Sequence, residues 1–167
     1  MRRLLCLWVL FCLLMGITAC SNSNRSSQDD VIFYYCRKDL TFHESDSVIA
    51  CETRSKKAIG DDLGTVIHAY LSGPEDPNLT LLFPQNTTLT DIQIAEDTLH
   101  ITISNNCANM NEVDLIRSCA CLAQTLFPLT DAPKIAIAAV DGFAQSDSPI
   151  VFTAESILTE DIVFQSD

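Results

Sequence analysis

The chain has 167 residues, a formal net charge of −12, 47% hydrophobic residues and eight cysteines. That length supplies one hydrophobic core and leaves little room for a second. The charge speaks against nucleic acid and against electrostatic adhesion to anionic lipid, and the acids are spread along the chain rather than gathered into a substrate-like patch.

Arg2 and Arg3 open the chain, the uncharged run from Leu4 to Met15 follows, and Gly16-Ile17-Thr18-Ala19 leads into Cys20. A basic start, a short apolar run and small residues at the cut predict a secretory signal peptide over residues 1–19. The apolar run falls short of the roughly 20 residues that span a bilayer. Ile17-Thr18-Ala19-Cys20 also resembles the lipobox of bacterial lipoproteins. That resemblance implies cleavage before Cys20, a diacylglycerol thioether on its thiol and acyl chains such as palmitate. The alternative is an ordinary secreted protein cut after Ala19. Residues 20–29, "CSNSNRSSQD", are polar and aperiodic, and are expected to tether a folded domain to the membrane surface. Acyl chains contribute about 0.8 kcal/mol per buried methylene, so two of them anchor stably. The expected place is the extracytoplasmic side of the cell membrane. Loss of Arg2 and Arg3 with the leader moves the net charge from −12 to −14.

Cys6 and Cys12 leave with the leader and Cys20 takes the lipid, so Cys36, Cys51, Cys107, Cys119 and Cys121 remain. An odd set cannot pair completely within one chain. Cys36 and Cys51 fall on successive predicted strands; they are placed to form a disulfide or to fill the core as small thiols.

"VIFYYC", 31–36, is β-branched and aromatic and predicts a strand buried on both faces. "SVIACET", 47–53, predicts a second strand after a polar connection, and "RSKKAIGDD" interrupts the pattern with charge. Leu63, Val66, Ile67, Tyr70 and Leu71 recur at helical spacing over 61–72. Asp61 and Asp62 sit at the end where the helix dipole favours acids, and Gly73-Pro74 supplies the stop. Residues 74–88 hold three prolines and predict an irregular crossing. In "TLHITIS" Leu99, Ile101 and Ile103 alternate with polar residues, and "LTDIQIA" does so before it, giving a hairpin turned at Glu96-Asp97. Residues 110–127 return to helical spacing, with Val113, Ile116, Cys119 or Ala120, Ala123 and Phe127 on the expected apolar stripe. "KIAIAAV", 134–140, predicts a strand ended by Asp141-Gly142; after it only "PIVFTA" and "DIVF" suggest short edge strands. The order predicts an α+β sandwich with helices on one face of a mostly antiparallel sheet. It comprises a domain at 30–143 and an acidic extension at 144–167.

Three segments together resemble the GerMN domain of spore-germination and sporulation proteins: "AYLSGP", "LLFPQNTTLTDIQIAEDTLHITIS" and "LAQTLFPLTDAPKIAIAAVDG". The residues that carry the likeness are Leu71, Gly73 and Pro74; Pro84, Thr87 and Thr88; Ser104; Thr125 and Leu126; and Val140, Asp141 and Gly142. The resemblance covers about residues 31–143. It implies a βαββαβ fold similar to the ring-building motifs of sporulation secretion complexes, and a role in assembly rather than catalysis. It also implies partners that are further copies of the chain or envelope and sporulation proteins.

Chemistry is sparse. Cys119 and Cys121 point about 200° apart on a helix and cannot share a metal. Cys121 is expected on the polar side with Ser118 and Thr125, as a plain thiol or an interchain disulfide donor. His43, His68 and His100 have no ligand-spaced helper, and no nucleophile elbow, P-loop or dinucleotide fingerprint occurs. Neither a catalytic residue nor a metal or cofactor site is expected. The competing expectation is a binding protein for a small ligand or cell-wall fragment, with the 37–47 loop and the Pro-rich crossing lining a cleft.

Overall fold

A computed structural model describes residues 29–38, 48–144 and 148–157. Cys20, the tether as far as residue 28, His43, most of the 37–47 loop and "DIVF" lie outside the described residues. The strands are β1 (Asp30–Arg37), β2 (Ile49–Ser55), β3 (Leu79–Thr80), β4 (Leu89–Ala95), β5 (Thr98–Ile103), β6 (Lys134–Ala139) and β7 (Ile150–Thr153). The helices are the single turn α1 (Lys56–Ile59), α2 (Leu63–Leu71) and α3 (Glu112–Leu126). No helix among the described residues is long and apolar enough to cross a membrane.

The α+β class holds, and the strands divide between two sheets rather than sharing one. The first sheet has the order β2-β1-β3 and the second β4-β5-β6-β7. Every pairing is antiparallel except β5 with β6, whose parallel crossover contains α3. The division has a local cause on the edge of β1 that faces away from β2. There β3 pairs only with Cys36 and Arg37, and the Tyr34 amide donates instead to Thr125 Oγ1 of α3 at 3.0 Å. A helix side chain thus occupies the place where a further strand would extend the sheet.

On one face of β1, Val31, Phe33 and Tyr35 are buried against α2, with the Tyr35 and Tyr70 rings stacked 4.8 Å apart and Tyr35 Oη donating to Tyr70 O at 2.9 Å. Burial of three aromatic side chains in one stack is a large share of the apolar area this small sheet removes from water. Asp62 caps α2 by accepting from Thr65 N at 2.9 Å, and Gly73 at φ +93° ends it in the left-handed region.

The hairpin forms with Ala95 opposite Thr98 and Glu96 at φ 55°. Its inner rows continue across the sheet, Ile94–Leu99–Ile135–Phe152 and Ile92–Ile101–Ile137–Ile150, while Gln93, His100, Ala136 and Val151 form an outer row. β7, on the "PIVFTA" segment, is the edge added beside β6.

Helix α3 lies where predicted but is turned about its axis. Val113 and Ile116, expected in the core, are 52% and 45% exposed. The buried positions are Leu115, Ser118, Cys119, Cys121, Leu122, Ala123, Thr125 and Leu126. Leu115, Cys119, Leu122 and Leu126 form the apolar stripe, and Cys121 and Thr125 turn toward β1. Covered on two sides, the helix buries polar residues by satisfying them locally. Ser118 Oγ donates to Asp114 O at 2.6 Å, and Thr125 Oγ1 donates to Cys121 O at 2.9 Å while accepting from Tyr34. Cys121 is therefore buried, not surface-exposed as its polar neighbours suggested.

Candidate functional site

The Pro-rich crossing does line a cleft. An open cleft of about 550 Å³ lies between the end of α2 and residues 81–88, walled by His68, Ser72 and Gly73 on one side and Phe83, Asn86 and Thr87 on the other. Its walls are held from two directions.

The first support comes from β2. Glu52 and Arg54, two residues apart, share the face that packs toward Phe33. The Arg54 guanidinium lies 4.7 Å from the Phe33 ring centroid and is ion-paired with Glu52. It also donates to Ala69 O at 3.1 Å and Gly73 O at 2.6 Å, the last carbonyls of α2 and its cap. Glu52 in turn accepts from the amides of Glu75 at 3.0 Å and Asp76 at 2.8 Å. Burial pushes the Glu52 carboxyl up, but the Asp76 and Glu75 amides and Arg54 more than offset it, leaving its pKa below the ordinary value. This clamp fixes the Gly73-Pro74 turn from both sides. It was missed in the sequence, although Glu52 and Arg54 at period two on the buried face were a legible sign.

The second support comes from residues 84–88, 104–106 and Asp141, which the fold gathers at the C-terminal end of the β5–β6 pair. Thr87 Oγ1 donates to Pro84 O at 2.7 Å, Thr88 N donates to Ser104 Oγ at 3.0 Å, and Ser104 N returns a bond to Thr88 O at 2.9 Å. Asn106 Nδ2 donates to Gln85 O at 3.1 Å, and Asp141 N donates to Asn105 Oδ1 at 2.9 Å. These residues shape loops through hydrogen bonds with one another. Within the cleft the Thr87 and Ser72 hydroxyls are likewise engaged with backbone carbonyls, while His68, Gln85 and Asn86 turn exposed side chains outward. Asn86 adopts φ 66°, a conformation asparagine tolerates better than most residues.

A second recess of about 500 Å³ lies beneath Ile94, between Leu63 and the 129–133 segment. Among the described residues no group of three or more His, Cys, Asp or Glu side chains is placed to hold a metal ion. His68 lies at the cleft and His100 on the outer face of β5, so the structure does not bring them together. Asp62 serves as a helix cap, as the position of the Asp61-Asp62 pair suggested; its bond from the Thr65 amide holds the carboxyl below its ordinary value.

Of the two arrangements open to Cys36 and Cys51, the structure holds them as separate thiols, the first buried and the second exposed. The register sets Cys51 opposite Tyr34 and Cys36 opposite Ile49. The two are diagonal neighbours, about 7–8 Å apart across an antiparallel pair. That lies beyond the Cα separation a disulfide bridges, about 7 Å at most. Cys107 Sγ donates to Ser104 O at 2.9 Å, and Cys119 is fully buried, its thiol pushed up by burial.

The geometry defines an α+β domain with an open, braced cleft at one end of its second sheet. No protein-family model matches the sequence, and no curated protein is significantly similar to it. Among solved structures it is similar to one described as a "Putative Lipoprotein from Clostridium perfringens", at 23% identity and a TM-score of 0.47, over 75% of this chain and 87% of that one. A likeness of that extent leaves function to be read from this chain's own residues.

Proposed function

We propose that this chain is a lipid-anchored protein of a bacterial envelope, held on the extracytoplasmic side by Cys20, whose α+β domain is an interaction and assembly module. The observation that carries the proposal is the sequence Ile17-Thr18-Ala19-Cys20 followed by a polar tract that ends where β1 begins. Two features of the domain support the assembly role. Among the described residues strand β4 is an edge of the second sheet, and such an edge suits strand addition by a partner. Thr87, Thr88, Ser104 and Asp141, among the residues that resemble GerMN domains, are engaged in loop hydrogen bonds, and a sporulation or germination setting is proposed on that resemblance alone.

Crosslinking in intact cells, followed by membrane extraction and mass spectrometry, tests the proposal, with Cys20→Ala as the unanchored control. Defined envelope proteins or further copies of the chain are expected only with the anchored form. Recovery of the anchored protein alone, or an unchanged membrane fraction for Cys20→Ala, would overturn assembly and anchoring respectively.

A second reading is favoured by the cleft itself. His68, Gln85 and Asn86 offer outward-facing donors and acceptors on a braced wall, which suits a small polar ligand such as a wall fragment. Titration with soluble wall fragments is expected to shift the His68 and Asn86 resonances; a spectrum unchanged at millimolar fragment would remove this reading.

A further inference from the structure

We propose that the inner face of the second sheet is completed in trans. A partner strand in which apolar residues alternate with Lys or Arg adds to β4, seating an apolar side chain beside Ile94 and its cations against the acids around it. The proposal rests on the assembly reading and names the kind of segment that reading requires.

The row Ile94–Leu99–Ile135–Phe152 is uncovered at one end. Leu99, Ile135 and Phe152 are buried, whereas Ile94, on the same face, is 62% exposed. Beneath it lies the recess of about 500 Å³ that Leu63 and Leu129 also line, with room for a side chain from a neighbouring strand. Among the described residues no strand pairs with β4 on the side away from β5. Ladder bonds alternate along an antiparallel pair, and the two-residue turn is closed by Ala95 and Thr98. Counted back from that pair, Ala95, Gln93 and Asp91 exchange bonds with β5, and the amides and carbonyls of Ile94 and Ile92 point the other way. The residues whose side chains lack cover are thus the ones whose backbone faces a newcomer. A strand added there pairs with Ile92 and Ile94 and extends both inner rows.

Charge selects the newcomer. Glu96, Asp97 and Asp131 line the recess, and Lys134 pairs with Asp97 at 2.8 Å, one cation against three acids. Asp91 adds an exposed carboxylate on the outer face of β4, beside Gln93. A strand of alternating apolar and cationic residues sets its apolar side chains with Ile92 and Ile94. Its cations then stand on the outer face near Asp91 and, at its end, near Glu96 and Asp131. Two occupants closer to hand suit the apolar row but not the charge. Residues 158–167 hold Ile162, Val163 and Phe164, but also Glu160, Asp161 and Asp167, with no Lys or Arg. A second copy of the chain brings a net charge of −12. Like charges set opposite one another across a strand pair destabilise it.

The test uses the full-length chain, isotope-labelled, with two capped heptapeptides as probes, one alternating Lys and Val and the other alternating Glu and Val. The Lys–Val peptide is expected to bind and to slow hydrogen exchange at the Ile92 and Ile94 amides; the Glu–Val peptide is expected to do neither. Ile94→Ala, at an exposed position, should leave the circular dichroism unchanged and weaken binding about tenfold. Glu96→Gln combined with Asp131→Asn should weaken it about fivefold. Equal binding of the two peptides, no binding of the Lys–Val peptide at millimolar concentration, or binding that leaves exchange at Ile92 and Ile94 unchanged overturns the proposal. So does slow exchange there without peptide that is released by dilution or by truncation after Ile157, which would make a second copy or the C-terminal residues the occupant. The intact-cell crosslinking separates this proposal from the assembly reading. Crosslinked partners without peptide binding leave assembly standing and sink the β4 site, and peptide binding at β4 without crosslinked partners does the reverse.

Discussion

Replacement of Arg54 by Ala tests whether the clamp on the Gly73-Pro74 turn supports the domain. The side chains of Arg54 and Glu52 are 9% and 11% exposed, so their pairing is largely sheltered from water. Truncation removes the bonds to Glu52, Ala69 O and Gly73 O and takes the guanidinium off the Phe33 ring. Loss of one partner from a buried pair costs about 3–5 kcal/mol, because the other charge is left uncompensated. Glu52 keeps the amides of Glu75 and Asp76, which places the expectation at the lower end, about 3 kcal/mol. With a urea dependence of about 1–3 kcal/mol per molar, the unfolding midpoint is expected to fall by about 1–3 M. Arg54→Lys keeps the charge but not the fork that reaches two carbonyls and a carboxylate at once, and should fall between wild type and Arg54→Ala. Urea unfolding followed by circular dichroism measures all three. A loss below about 1 kcal/mol for Arg54→Ala would mean that the pair is as solvated as an ordinary surface ion pair, and that the turn holds itself.

Thr125→Val preserves shape but removes the acceptor for Tyr34 N and is expected to cost about 1–3 kcal/mol, with faster hydrogen exchange at the Tyr34 amide; unchanged exchange there would contradict the seam between β1 and α3. Gly73→Ala should cost about 1 kcal/mol through its positive φ alone, since nothing lies within 4 Å of the added carbon. Gly60→Ala should cost more, because its φ is +108° and the new carbon would sit 2.7 Å from Thr65 Oγ1; equal midpoints in urea would count against that contact. For Glu52 the native pKa lies below its ordinary value of 4.5, so its stabilisation is present above pH 4.5 and lost as pH falls through the native value. Urea stability should decline below pH 4.5, and Glu52→Gln should lack that part of the decline. Leu122→Ala, at a fully buried position of α3, should cost about 2–5 kcal/mol and lower the thermal midpoint.

Elements with one covered side were legible in the sequence. The hairpin was read from Leu99, Ile101 and Ile103, because an alternating face has only one way to sit on a core. Helix α2 was read at both ends, from Asp62 and from Gly73-Pro74, because capping chemistry is local. Helix α3 was placed correctly and phased wrongly. Its sequence offers apolar residues on several sides, and only the approach of β1 decides that Thr125 and Cys121 go inward while Val113 and Ile116 stay out. The two-residue strand β3 and the division into two sheets depend on what fills one edge of β1, a matter decided by a residue far along the chain. The Pro-rich crossing lines a cleft whose other wall is the end of α2, whereas the part of Arg54 in bracing that cleft lay in a charged stretch that reads as an interruption. The choice left open for Cys36 and Cys51 needed a register: a shift of two residues along β2 separates Cys51 from Cys36.

The bond between Tyr34 and Thr125 spans 91 positions of sequence. A nascent chain emerges with its amino end first, so β1 and β2 are free to pair early, while the other edge of β1 waits until α3 is out and formed. Contacts of such separation form slowly, because the loop they close costs entropy before anything is gained. During that interval "VIFYYC" presents an uncharged, aromatic and β-branched edge, the composition that nucleates strand-to-strand aggregation. The charges on either side of it then have a purpose that the finished fold conceals. Asp29 and Asp30 precede the segment and Arg37 and Lys38 follow it, four charges of the gatekeeper kind, whose hydration, and whose repulsion between parallel in-register copies, disfavour stacking on β1 before its own helix arrives.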